Sequence, residues 1–147
     1  MKLIFGSDHA GFEMRRHVAE WARMQGHDVT ETGAESENPF DYPLVADSVA
    51  CQLEKGGFDF GVLVCGTGIG VSIRANRYPH IRAAECTSQE MARLARRHNY
   101  ANVLCLGGRI LSKEESEAIL SAFLETEPDV AERHAKRVEL LDAELSC

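Results

Sequence analysis

No two cysteines stand at C-x-x-C spacing, and the set of five, Cys51, Cys65, Cys86, Cys105 and Cys147, is odd. A disulfide framework or zinc knuckle is therefore not expected, and a reducing cytoplasm suits this cysteine usage. Each reads first as a small buried hydrophobe. Long apolar runs are missing too. Leu3 to Phe5 and Gly61 to Cys65 fall far short of the ~20 residues a bilayer span needs, and Asp8 follows Met1-Lys2 too soon for a leader. Nor is there an excess of positive charge: sixteen Lys plus Arg against twenty-three Asp plus Glu give −7, a balance that repels nucleic acid and anionic lipid. What is present, 44% hydrophobic and 27% charged residues in 147, fits one globular domain over residues 1–147.

Along the chain, strand-like and helix-like stretches alternate. Lys2 to Gly6 is a short apolar run, and Met14, Val18, Trp21 and Ala22 recur at helical spacing before Gly26. His27 to Glu31 reads as a strand, Tyr42 to Leu53 as a helix and Phe58 to Cys65 as the most strand-like segment of all. The unbroken apolar run from Gly61 to Cys65 predicts a strand covered on both faces, the habit of parallel sheets. Beyond it come a helix to about Asn76, a strand over Ile81 to Cys86, a helix through Arg97 opened by a Thr87-to-Glu90 capping box, and a strand over Asn102 to Leu106. A second capping box, Ser112 to Glu115, opens a helix to Leu124, and a last helix is expected from Asp129 to Leu145. Five alternations predict an α/β fold, a three-layer αβα sandwich with a five-stranded parallel Rossmann-like sheet and a trailing C-terminal helix.

Ligands of such sheets bind beyond the C-terminal strand ends, where this sequence is unusually polar. Asp8 and His9 follow the first strand, Cys65-Gly66-Thr67-Gly68-Ile69-Gly70 the third, and His98-Asn99 end a helix expected at the same rim. An Asp, two His, a Cys and a Thr converging there would suit proton transfer. The glycine loop lacks the third glycine of a dinucleotide fingerprint, although Glu85 stands near the place of its ribose-binding acid. Neither a Walker lysine nor the arginine of a cysteine phosphatase loop is in place. There remains a strand-to-helix turn whose N–H groups suit a phosphate or oxyanion, with Cys65 where the same field favours a thiolate. Arg133 and Arg137, four apart, leave one face of the last helix in a geometry fit for a phosphate dianion, and Arg109 is a third cation near the rim. No spacing reads as a metal site. A nucleotide-binding module and a hydrolase with Cys65 as nucleophile stay open as alternatives.

The segments GSDHAGFE (6–13), DYP (41–43), CGTGIG (65–70), HN-x-ANVL (98–104) and RHAKRV (133–138) together resemble ribose-5-phosphate isomerase B and the related galactose-6-phosphate isomerase subunits. The resemblance spans nearly the whole chain and implies a single sugar-phosphate isomerase domain. It implies metal- and cofactor-free interconversion of aldose and ketose phosphates, most readily ribose 5-phosphate and ribulose 5-phosphate, through a cis-enediolate. Galactose or allose 6-phosphate or a tetrose phosphate would be the alternative substrates. Cys65 would be the base, Thr67 a proton relay, and His98 with Asp8 the ring-opening group. The N–H groups of Gly66, Gly68, Ile69 and Gly70 would hold the oxyanion. His9, Arg109, Arg133 and Arg137 would grip the phosphate, Tyr42 and Asn99 would position hydroxyls, and His134 would be a further substrate-binding residue. The resemblance also implies a homodimer, or a dimer of dimers, with sites shared between chains and the C-terminal helix reaching its partner. Tyr100 departs from the Asp common at its place, as do Leu44-Val45 and Ala131-Glu132 at theirs, and these bear on substrate length and stereochemistry.

Overall fold

A computed structural model describes residues 1–143. Five strands form one wholly parallel sheet: β1 (Lys2–Ser7), β2 (Asp28–Gly33), β3 (Phe60–Cys65), β4 (Ala83–Glu85) and β5 (Val103–Gly107), in the order β2-β1-β3-β5-β4. Between and after them run α1 (Phe12–Met24), α2 (Tyr42–Glu54), α3 (Ile69–Ala75), α4 (Gln89–Asn99), α5 (Lys113–Glu125) and α6 (Glu132–Asp142). The three-layer αβα expectation is met.

Alternation along the central strands builds two cores. Leu3, Phe5, Val62, Val64, Leu104 and Leu106 face α1, α4 and α5, packing on Met14, Val18, Ala92, Ile119 and Phe123. Ile4, Leu63, Cys65, Val103 and Cys105 face the other way, onto Val45, Val49, Val71 and Ala75 of α2 and α3. A strand clothed on both faces has no polar side to alternate, which explains the unbroken apolar run of β3. Because β2 lies on one side of β1 and β3 on the other, the chain reverses its winding direction between β1 and β3. Ligands of such sheets bind at that reversal, beyond the strand ends.

Several boundaries differ from the sequence reading. Ser112 and Glu115 form the expected reciprocal capping box at α5. At α4 the cap is Ser88 alone, accepting from Met91 N–H, so the pattern beginning at Thr87 was one residue out of register and is not a box. The last helix starts at Glu132 rather than Asp129, because the Asp129 carboxylate turns to accept the Ala131 N–H at 3.0 Å. Its expected continuation to Leu145, like Cys147, lies outside the described residues. Cys86 and Cys105 are buried as expected, but Cys51 is exposed on α2.

Candidate active site

The end of β1 is organised by Asp8. Its buried carboxylate accepts the Gly11 N–H at 2.9 Å and caps the single 3-10 turn His9–Gly11 that leads into α1. That turn lies against the end of β3, where a Cβ on Gly11 would run into the Val64 carbonyl and stand 3.0 Å from the Cys65 nitrogen. Glycine is therefore what brings the Asp8-His9 corner against Cys65. His9 Nδ1 lies 3.1 Å from the Phe40 N–H and 3.2 Å from the Phe40 carbonyl, which ties the 34–41 loop to the rim.

Cys65 is 4% exposed, and the Gly68 N–H donates to its sulfur at 3.2 Å. The turn closes because Gly68 adopts φ +83°, a left-handed conformation, and a Cβ there would stand 3.1 Å from the Leu106 backbone. Thr67 is exposed, and its hydroxyl accepts the Ile69 N–H at 3.3 Å. From β5, the Gly108 and Arg109 N–H groups donate to the carbonyls of Cys65 and Gly66, and the Arg109 side chain lies over Gly66. The Tyr42 ring covers Gly70 from α2. Glu85, the acid a dinucleotide reading needs, packs beneath Gly68, and burial raises its carboxyl above the usual range. Ten of the expected site residues thus share one rim: Asp8, His9, Tyr42, Cys65, Gly66, Thr67, Gly68, Ile69, Gly70 and Arg109.

His98 and Asn99 do not, contrary to the sequence reading. They end α4, and α4 returns antiparallel to the strands, so its C-terminus delivers the chain to the start of β5. A strand's length, roughly 15 Å, separates that edge from Cys65. Here His98 stacks on the buried His134 of α6, ring centroids 4.2 Å apart and planes 1° from parallel. Arg133 Nε donates to His134 Nε2 at 3.1 Å, and the Asp129 carboxylate lies 3.6 Å from the same nitrogen. Burial, then the neighbouring His98 and Arg133, push the His134 imidazole below its ordinary value. His134 Nδ1 is buried without a partner among the described residues. His98, Asp129 and His134 offer atoms within 4.8 Å of one another, a grouping no sequence spacing could reveal. The Arg133 guanidinium already engages the His134 Nε2 lone pair, the atom a metal ion would otherwise take from that ring.

The chain matches a family model described as Ribose/Galactose Isomerase over residues 3–141. It is 38% identical over 142 residues to ribose-5-phosphate isomerase B of Escherichia coli (strain K12), covering 97% of this chain and 95% of that one. A D-erythrulose-4-phosphate isomerase of Pectobacterium atrosepticum is 35% identical over 129 residues, covering 86% and 84%. The crystal structure of a ribose 5-phosphate isomerase from Thermotoga maritima superposes with a TM-score of 0.93 at 44% identity, over 96% of this chain and 97% of that one. With its sheet, its cysteine-ended third strand and its glycine turn all in place, the chain belongs to the ribose/galactose isomerase family and is an aldose–ketose isomerase.

Proposed function

We propose that this single domain, residues 1–147, interconverts ribose 5-phosphate and ribulose 5-phosphate, with Cys65 as the base. The observation that carries the reading is the placement of the Cys65 sulfur at the winding reversal, fixed by the Gly68 N–H at 3.2 Å, with Thr67 in the same turn and the Arg109 side chain over Gly66. Cys65 as thiolate takes the proton from C2, the C2–H bond breaks, and its electron pair moves through C1 onto O1 to form the enediolate. Thr67 relays the O2 proton to O1, and the proton held by Cys65 is returned to C1, which leaves C2=O and gives the ketose. Backbone N–H groups of the 66–70 turn hold the charge on the oxygens, where preorganised donors are worth a few kcal/mol. His98, with Asp8, opens the ring, while Tyr42 and Asn99 position hydroxyls.

His98, Asn99, Arg133, His134 and Arg137 lie at the far edge from Cys65 in their own chain, so they serve the site of a second copy. The phosphate is gripped by His9 and Arg109 of one chain and by Arg133 and Arg137 of the other, with His134 a further substrate-binding residue. A homodimer, alone or paired into a dimer of dimers, meets this need. The relative that isomerises D-erythrulose 4-phosphate keeps a tetrose phosphate as the second substrate to test.

Incubation with ribose 5-phosphate in deuterated buffer with excess chelator tests the chemistry. Ribulose 5-phosphate should form at the unchelated rate, and recovered aldose should carry deuterium at C2. Release of inorganic phosphate with C2 unlabelled would identify a hydrolase instead, and rescue by added zinc or manganese would overturn the metal-free reaction. A parallel assay with the tetrose phosphate decides the preferred substrate.

A further inference from the structure

The helix α6 has little of its own to hold it. Of its eleven residues only His134 and Val138 are buried, and no side chain caps its start at Ala131. A helix so short is marginal alone in water. It is nevertheless fastened at both ends from one corner of the molecule. At its start, the Tyr100 hydroxyl donates to the Asp129 carbonyl at 2.8 Å, and the Asp129 N–H donates to the Arg97 carbonyl at 2.8 Å. At its end, Arg82 reaches both carboxylate oxygens of Asp142 at 2.8 Å. The two fastenings touch, since Arg82 Nε donates to the Tyr100 carbonyl at 3.1 Å.

Tyr100 is also the only non-glycine residue with positive φ among those described, at 51°. That left-handed cap to α4 suits Gly or Asn better, so Tyr brings backbone strain to the position. What offsets it is the side chain, whose ring crosses to the 126–131 link and places its hydroxyl on Asp129.

We propose that Tyr100 is a positioning residue of the sugar-phosphate site, which together with Arg82 clamps the two ends of α6 so that the exposed Arg133 and Arg137 present one fixed cationic face. The inference rests on α6 being a phosphate-gripping element, as argued above. Tyr100 acts through α6 and not on the reacting carbons, so its hydroxyl governs binding more than turnover.

Tyr100→Phe keeps the ring and removes only the hydroxyl. The dissociation constant of inorganic phosphate, read by calorimetry, should rise about fivefold, the effect of one net hydrogen bond. KM for ribose 5-phosphate should rise alike while kcat stays within about twofold. Asp142→Asn, at the opposite end, should shift both constants in the same direction by less, its pair being more exposed. A folded Tyr100→Phe protein with unchanged phosphate affinity overturns the proposal, as does a fall in kcat with KM unchanged. Were ribose 5-phosphate not a substrate at all, the functional reading would fail alone, and the phosphate comparison would still decide the role of Tyr100.

Discussion

Three thiols of one chain take different chemistry from their surroundings. Burial pushes the Cys86 thiol up to about 12, and it pushes the fully enclosed Cys105 well above its ordinary value, so both stay protonated and inert at neutral pH. Cys65 instead ends a strand at a rim, with a backbone N–H donating to its sulfur. Cys65→Ala should lower turnover by ~100- to 10,000-fold, the usual cost of losing a positioned base, while phosphate binding survives. Steady-state rates against phosphate affinity check this, and retention of a tenth of the wild-type rate would refute the assignment. Alkylation of the native protein near pH 8 should mark exposed Cys51 and leave Cys86 and Cys105 unmodified, as peptide mapping would show. In the sequence, Cys65 stood apart from these buried thiols only through its glycine-rich neighbours. Burial differences between cysteines are a tertiary property that a residue string does not carry.

Among the elements, the α1 corner and α6 are held in opposite ways. The corner depends on close backbone approach: a methyl at Gly11 meets the Val64 carbonyl, an atom of the central strand that has nowhere to go. Gly11→Ala should cost about 3 kcal/mol of stability, at the upper end of overpacking effects, seen as a lowered denaturant midpoint at unchanged slope. On α6 the determinant is charge. His134 is held below the ordinary imidazole value of 6.5 chiefly by burial, with His98, Arg133 and Arg137 adding to the effect and Asp129 opposing it. A depressed pKa means that the unfolded chain takes up the proton first, so this stabilising contribution is present above about pH 6.5 and lost as the pH falls through it. Denaturant midpoints should drop between pH 7.5 and 5.5, and His134→Gln should flatten the drop; an identical slope in the variant would refute the role of His134. Periodicity and turn residues made every strand and helix of the described residues legible. Errors fell where side chains chose between adjacent registers, as at Ser88, or where an acid bent back to cap a turn, as at Asp129.

For the molecule as a whole, the decisive feature is that the expected site residues divide between two ends of one sheet. Apart from Tyr42, which only the family resemblance supplied, the rim set from Asp8 to Arg109 follows strand ends and was legible from the sequence by the α/β rule. His98 was assigned to the same rim because it follows a strand's helix, but a helix that connects parallel strands runs back, and its end belongs to the other edge. The same topology separates His98 and the α6 cations from Cys65 within one chain, and the proposed function reunites them through a second copy. Subunit exchange between an inactive Cys65→Ala protein and an inactive Arg137→Ala protein tests this most directly. If the site is built from two copies, each mixed dimer carries one site with both defects and one with neither, and roughly a quarter of wild-type activity should return after equal mixing. No recovery of activity, with exchange demonstrated by labelled subunits, would put Cys65 and Arg137 in the same chain's site and contradict the account.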